Sequence, residues 1–132
     1  MRAMIVDDEP LCLSDMIYLL SRSGTVEIAG AFTEPASALE AAPRIRPDVF
    51  FLDLSMPRMN GAELAKQILA QIPTARIVFV TAHAKELEGV KGIPAFASLL
   101  KPVNGPMLNE LLERLRASPP DTNGTRKHNP NF

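Results

Sequence analysis

The sequence is poor in the residues that build disulfide frameworks and zinc sites. Its 132 residues include one cysteine, two histidines and no tryptophan. The single thiol, Cys12, excludes an internal disulfide. Without a cluster of cysteines and histidines around it, a structural zinc site is also disfavoured.

Excess charge and long hydrophobic segments are absent as well. A formal net charge of −1 leaves no basic surplus for nucleic acid or an acidic membrane surface. The longest apolar runs, such as 49–52 and 77–80, are too short to cross a bilayer, and no secretory signal pattern opens the chain. With 46% hydrophobic and 22% charged residues, the sequence predicts one soluble, cytoplasmic globular domain.

Short apolar runs alternate with stretches whose apolar residues recur at helical spacing. Because each of the five predicted strands precedes a predicted helix and its apolar run suits burial on both sides, the pattern indicates an α/β fold with a parallel sheet covered on both faces. Thr33 is expected to cap the second helix and Pro43 to end it. The predicted strands are 3–6, 26–31, 49–52, 77–80 and 95–100, and the predicted helices are 13–20, 34–42, 64–72, 84–92 (ambiguous) and 108–115.

The composition changes near the end of the chain. From Ser118 onward the sequence is polar, contains proline and glycine, and lacks periodicity. We therefore predict a single folded domain over residues 1–117 and a disordered polar tail over residues 118–132.

Polar residues directly follow four of the five predicted strands. Since ligands bind outside the carboxyl ends of the strands in open parallel sheets, these side chains are expected to meet at one site. The residues concerned are Asp7, Asp8, Asp53, Thr81 and Lys101.

The residue types in this set favour phosphoryl chemistry. Neighbouring carboxylates repel one another unless a cation joins them, and oxygen ligands favour magnesium before calcium. The positive charge of Lys101 and the hydroxyl of Thr81 suit the oxygens of a phosphoryl group. A carboxylate can act as a nucleophile toward phosphorus, and Asp53, after the central strand, is the natural candidate.

Four segments resemble the receiver domains of two-component response regulators, in unbroken order over about residues 1–117. They are 4–10 (MIVDDEP), 49–57 (VFFLDLSMP) running on to Asn60-Gly61, 78–82 (VFVTA) and 99–102 (LLKP). The last two are similar to receivers that carry a LytTR-type DNA-binding domain. The resemblance implies a flavodoxin-like doubly wound sheet with strand order 2-1-3-4-5.

The resemblance also implies a magnesium site. Asp8, Asp53 and the backbone carbonyl of Ser55 would bind Mg2+ directly, and Asp7 would act through water in its outer shell. Lys101 and Pro102 would be joined by a cis peptide bond, which proline permits.

By the same resemblance, Asp53 would accept a phosphoryl group from a sensor histidine kinase or a phosphotransfer protein. Lys101 would pair with the phosphoryl oxygens, Thr81 would move to hydrogen-bond them, and the small Ala82 would leave them space. The domain would be a slowly dephosphorylating switch rather than an enzyme. It would act on a downstream protein or an output domain, with possible pairing of two copies through the last two helices and no direct contact with nucleic acid or membrane.

One position departs from the family pattern. The family usually has tyrosine or phenylalanine three residues before the lysine, where this chain has Ser98. Since a serine cannot swing inward as that ring does, we expect the output signal to rely on the loop after Thr81 or on Phe96, which has the same strand parity. His83 could overhang the phosphoryl group, although a solvated loop histidine is the favoured interpretation.

Three other interpretations compete with the switch. Asp7 and Asp8 could merely cap the first helix, but a third carboxylate at a neighbouring strand end disfavours this. A phosphatase of the haloacid-dehalogenase kind also uses a nucleophilic aspartate, but it needs a second carboxylate where this chain has Ser55. A receiver that only binds proteins would not need the complete set of five site residues.

Overall fold

Each strand of the sheet coincides with one of the apolar runs of the sequence. The computed structural model describes residues 1–118, which contain five strands, four α-helices and one 3-10 helix, η1. In chain order the elements are β1 (Arg2–Val6), α1 (Pro10–Arg22), β2 (Glu27–Phe32), α2 (Pro35–Ile45), β3 (Val49–Asp53), α3 (Gly61–Gln71), β4 (Arg76–Thr81), η1 (Ala84–Val90), β5 (Ala97–Leu100) and α4 (Gly105–Ala117).

All the strands are parallel and form one sheet in the order β2-β1-β3-β4-β5. The predicted flavodoxin-like topology is therefore confirmed. The strand order reverses between β1 and β3, so the chain leaves the sheet on opposite sides there and opens a crevice at the carboxyl edge.

Alternation along the inner strands divides the buried side chains into two cores. On β3, Phe50 and Leu52 point into a cluster covered by α2, α3 and η1, whereas Val49 and Phe51 point into a cluster covered by α1 and α4. Every residue of β3 is buried. Because both faces of the sheet are packed, the inner strands hold their carboxyl ends in fixed positions.

Two features of α2 differ from the sequence prediction. Glu34, not Thr33, is the residue before α2, and it makes no side-chain cap; Pro35 begins the helix with the φ angle that a first turn requires. Pro43 lies inside α2, which continues to Ile45. Pro43 has no N–H to donate to the carbonyl oxygen of Leu39, so α2 continues past it without that one hydrogen bond.

The predicted helix 84–92 is a 3-10 helix, η1, rather than an α-helix. Val90 is its only buried residue, and Leu87 is partly buried against the same core. A 3-10 helix has poorer hydrogen-bond geometry than an α-helix, so η1 is weakly held by its own backbone.

The end of α4 is fastened to the sheet by Arg76. This arginine is 8% exposed and donates hydrogen bonds to the carbonyl oxygens of Leu115 and Ser118 at 2.7 and 2.6 Å. The predicted tail, apart from Ser118, lies outside the described residues. Within residues 1–118, none of the helices has both the length and the hydrophobicity that a membrane-spanning segment needs.

Two helices begin with the same Asn-Gly pair. The side chains of Asn60 and Asn104 accept hydrogen bonds from the backbone N–H groups of Glu63 and Met107, both at 2.9 Å, and so cap α3 and α4. The glycines that follow differ in their surroundings. A Cβ atom at Gly61 would lie 3.0 Å from the carbonyl carbon of Asp53, whereas a Cβ at Gly105 would meet nothing within 4 Å.

Gly61→Ala is therefore expected to lower the free energy of unfolding by about 1 to 3 kcal/mol, because backbone of the Asp53 segment must shift to admit the methyl group. Gly105→Ala is the matched control and should change it by no more than about 0.5 kcal/mol. Denaturant unfolding followed by circular dichroism measures both values. Equal effects of the two substitutions would contradict the close approach at Gly61.

Candidate metal and phosphoryl site

The sheet brings the ends of its inner strands to one place. Asp7 and Asp8 follow the last residue of β1, and Asp53 is the last residue of β3. Val6 is paired with Leu52, the neighbour of Asp53. As a result, these three residues, here called the aspartate cluster, each place a carboxylate oxygen within 4.8 Å of the others.

Lys101 stands beside two members of the aspartate cluster. Its Nζ lies 3.0 Å from Oδ2 of Asp7 and 3.2 Å from Oδ1 of Asp53. Lys101 follows β5, and its backbone N–H donates to the carbonyl oxygen of Thr81 at 2.7 Å, which fixes the lysine at the same edge. The peptide bond between Lys101 and Pro102 is cis, as predicted.

Burial acts in opposite directions on the pKa values of Asp53 and Lys101. Burial, followed by the charge of Asp7, raises the pKa of Asp53 to about 6, although the nearby Lys101 acts to lower it. Burial alone would lower the pKa of Lys101, but its hydrogen bond to Asp7 and the charge of Asp53 outweigh that effect and raise it. One lysine thus stays charged but does not fully offset three carboxylates.

The donor set of the aspartate cluster fits a hard divalent cation. Oδ1 of Asp8 is buried and has no hydrogen-bond partner among the described residues. A buried carboxylate oxygen without a partner is costly, and a bound cation would satisfy it. Three carboxylates and nearby backbone carbonyls are oxygen ligands of the kind that magnesium prefers.

Thr81, the last residue of β4, is fully buried. Its Oγ1 accepts a hydrogen bond from the backbone N–H of His83 at 3.1 Å. The next residue, Ala82, is exposed and lines a groove together with Lys101. Of the predicted site residues after β4 and β5, Lys101 contacts the aspartate cluster directly, and Thr81 and Ala82 lie next to Lys101.

Glu86, in η1, is a site residue that sequence reasoning missed. Its carboxylate accepts hydrogen bonds from the side-chain hydroxyls of Thr81 and Ser55. These bonds, the one from Ser55 first, hold the pKa of Glu86 below its usual range. No motif indicated this contact, because it depends on how the loop after β4 folds back over the loop after β3.

The two candidates for an output residue near β5 lie in different surroundings. Ser98 is exposed. Phe96 precedes β5, packs against the core under α1 and α4, and has the guanidinium groups of Arg76 and Arg114 over its ring at 6.0 and 5.3 Å. Side chains of a strand alternate between its two faces, but the neighbours Phe96 and Ala97 both pack on that core. Phe96 therefore does not follow the alternation of β5, and the expectation that it shares the face of Ser98 is wrong.

A doubly wound parallel sheet with three carboxylates and a lysine at its carboxyl edge defines a class of α/β domains with an acidic switch-point site. Residues 3–116 match the family model of the response regulator receiver domain. The chain therefore belongs to this family, whose members are phosphorylation-activated switches of two-component signalling. Receiver domains typically bind Mg2+ at an acidic cluster.

Curated relatives include longer transcriptional regulators. The chain is 38% identical over 117 residues to the transcriptional regulatory protein BtsR of Salmonella typhi, and 36% identical to BtsR of Escherichia coli K12. Each match covers 87% of this chain and 48% of the relative. The chain thus spans about half the length of the curated relatives it matches.

Solved structures show the same fold. The response regulatory domain of mrkE from Klebsiella pneumoniae superimposes with a TM-score of 0.80 at 28% identity, covering 89% of this chain and 96% of that one. RcsB from Salmonella enterica serovar Typhimurium, solved bound to promoter rprA in the presence of the phosphomimetic BeF3−, gives a TM-score of 0.79 at 26% identity and covers 88% and 98%.

The raised pKa of Asp53 predicts that the folded chain becomes less stable as the pH rises in metal-free buffer. The unfolded chain ionises this carboxyl near its ordinary value of 3.8, but the folded chain keeps the proton until about pH 6. The free energy of unfolding therefore falls as pH rises through this window. One pKa unit corresponds to about 1.4 kcal/mol, so Asp53→Asn should raise the free energy of unfolding by about 1 to 3 kcal/mol above pH 7.

Denaturant unfolding at pH 4 and pH 7.5, with a chelator present, measures this effect. The gain should be small at pH 4, where Asp53 is protonated in the folded chain. Asp48→Asn is the matched control, because Asp48 is exposed just before the same strand, and the amide oxygen of asparagine can keep the hydrogen bond that Asp48 Oδ2 accepts from the backbone N–H of Arg2 at 2.7 Å. A gain for Asp53→Asn that is the same at both pH values would contradict the raised pKa.

Proposed function

We propose that Asp53 accepts a phosphoryl group from the phosphohistidine of a sensor histidine kinase or a phosphotransfer protein, in a reaction that depends on Mg2+. The observation behind this assignment is that Asp53 ends the fully buried central strand and lies in contact with Lys101 and within 4.8 Å of the other carboxylates. A nucleophile, an acidic metal site and a fixed cation are the parts that phosphoryl transfer requires.

In this proposal the metal is held by the aspartate cluster. Asp8 and Asp53 would be direct ligands together with the backbone carbonyl of Ser55, and Asp7 would act through water. The oxygen of Asp8 that has no hydrogen-bond partner in the described part of the chain supports its role as a ligand. When bound, Mg2+ supplies positive charge that offsets the carboxylates and the phosphoryl oxygens.

The transfer step follows from the position of the Asp53 carboxylate. One of its oxygens forms a bond to phosphorus while the P–N bond of the donor phosphohistidine breaks, and the imidazole leaves with the electron pair of that bond. Lys101 pairs with the phosphoryl oxygens, and the hydroxyl of Thr81 donates a hydrogen bond to one of them. Ala82 leaves room because its side chain is a single methyl group.

The phosphoryl group remains on Asp53 until it is hydrolysed slowly, so we infer a signalling acceptor rather than a turnover enzyme. The domain over residues 1–117 would relay its state to a downstream protein or an output domain, or through a second copy of the chain. Because the relatives named as transcriptional regulators are about twice as long as the matched region, an output domain in a longer protein is the proposed context. A cytoplasmic location is in keeping with this function, and an output domain of LytTR type stays a prediction.

Incubation of the purified protein with acetyl phosphate and Mg2+ should give a covalent phosphoryl adduct, detected by mass spectrometry of the intact protein. Asp53→Asn and a chelator should each abolish the adduct, because the first removes the nucleophile and the second the metal. Asp48→Asn should form it as the wild type does. An adduct that survives in Asp53→Asn would overturn the assignment of Asp53.

A negative result has a defined second step, since beryllofluoride binds a phosphoryl site without a covalent donor reaction. Titration of the wild-type chain with beryllofluoride and Mg2+ should then show saturable binding that is lost in Asp53→Asn. If neither an adduct nor beryllofluoride binding is found, the phosphorylation switch is wrong and the chain is a phosphate-independent interaction module.

A further inference from the structure

The carboxylate of Glu86 accepts hydrogen bonds from two hydroxyl groups near the proposed phosphoryl position. It accepts hydrogen bonds from Thr81 at the end of β4 and from Ser55 in the loop after β3. The Glu86 carboxylate therefore links η1 to two other segments, the end of β4 and the loop after β3.

This arrangement conflicts with the proposed phosphorylated state. A threonine hydroxyl has a single hydrogen to donate, so Thr81 cannot donate to Glu86 and to a phosphoryl oxygen at once. A phosphoryl group on Asp53 would also bring negative charge beside the Glu86 carboxylate, and like charges at short range repel. Only one of the two anions can be held by Thr81.

We propose that Glu86 is a positioning residue that holds Thr81 and Ser55 in the unphosphorylated chain, and that a phosphoryl group on Asp53 displaces its carboxylate and releases η1. This inference rests on the proposed function of Asp53. Glu86 takes no part in the transfer step; it acts by competing for the hydroxyl of Thr81.

The packing of η1 suits such a release. Val90 is the only buried residue of this segment, with Leu87 partly buried, while Ala84, Lys85 and Glu88 are exposed. The first turn of η1 is thus held mainly by the Glu86 carboxylate. Once that carboxylate leaves, Val90 remains as an anchor and the turn before it moves.

The first test is the affinity for beryllofluoride in the presence of Mg2+. In the bound state the Glu86 carboxylate is already displaced, so its removal destabilises only the unbound state and should tighten binding. For Glu86→Ala we expect about tenfold tighter binding than for the wild type, the size of a lost charge-assisted hydrogen bond. A residue that merely supported the fold would not produce tighter binding.

Glu88→Ala is the matched control. Glu88 lies in the same 3-10 helix and carries the same charge, but its carboxylate is paired with Lys91 at 2.9 Å and is exposed. Its replacement should leave the affinity within about twofold of the wild type, because an exposed ion pair has little effect on a distant site.

The second test is hydrogen exchange of the backbone amides in residues 84–90. In the wild type, exchange should be slower without ligand than with beryllofluoride and Mg2+. In Glu86→Ala it should already be fast without ligand, while Glu88→Ala behaves as the wild type. Tightened binding together with this exchange pattern would support the inference.

Other outcomes separate this inference from the function on which it rests. If the wild type binds beryllofluoride and Glu86→Ala binds with equal or weaker affinity, the role of Glu86 is wrong and the proposed function stands. Unchanged exchange in residues 84–90 on binding would also overturn it. If neither protein binds beryllofluoride and neither forms an acetyl phosphate adduct, the proposed function fails and this inference fails with it.

Discussion

Repulsion among three carboxylates is the constraint on which this structure depends. Neighbouring strands of a sheet lie about 4.8 Å apart, so residues at the ends of β1 and β3 cannot separate to relieve their charge. Carboxylate oxygens of the aspartate cluster lie within 4.8 Å of one another, at the ends of strands that are packed on both faces. The charge must then be offset by Lys101, by a proton on Asp53 or by a bound cation. Among residues 1–118, Lys101 contacts two of the three carboxylates and an oxygen of Asp8 has no hydrogen-bond partner, so the fold carries a local cost that a divalent cation would relieve.

Packing in the rest of the fold stabilises the chain and offsets this local cost. Phe50 and Leu52 on one side of β3, and Val49 and Phe51 on the other, bury enough apolar surface to hold a strand that ends in a charge. The loop after β3 is held just as tightly, because Gly61 brings the start of α3 against the backbone of Asp53. A rigid framework keeps the reacting groups in place before any ligand arrives, which is the condition for electrostatic stabilisation of a transferred phosphoryl group.

The sequence predicts the parts of this arrangement that follow from periodicity. Buried strands are continuous apolar runs, and the residues directly after them must lie at one edge, so the positions of Asp53 and Lys101 are inferred without coordinates. Contacts made by irregular backbone are not inferred in this way. Glu86 lies in a 3-10 helix whose direction is set by the folded loop. Phe96 lies just before β5, outside its regular alternation, and packs on the core covered by α1 and α4. Pro43 shows the same limit, since the loss of its N–H favours an end to the helix but α2 continues to Ile45.

Ser98 and Glu86 are best considered together. An aromatic switch works by packing: a ring moves into space that a threonine vacates. With an exposed serine at position 98 there is no ring to move, but the hydroxyl of Thr81 is bound to a carboxylate whose place an incoming phosphoryl group would contest. The two anions differ in charge and in their attachment to the chain, one to rigid β3 and the other to a weakly held 3-10 helix. When they compete, it is the weakly held segment that moves. The state of Asp53 is thereby converted into the position of η1 by charge competition rather than by side-chain packing.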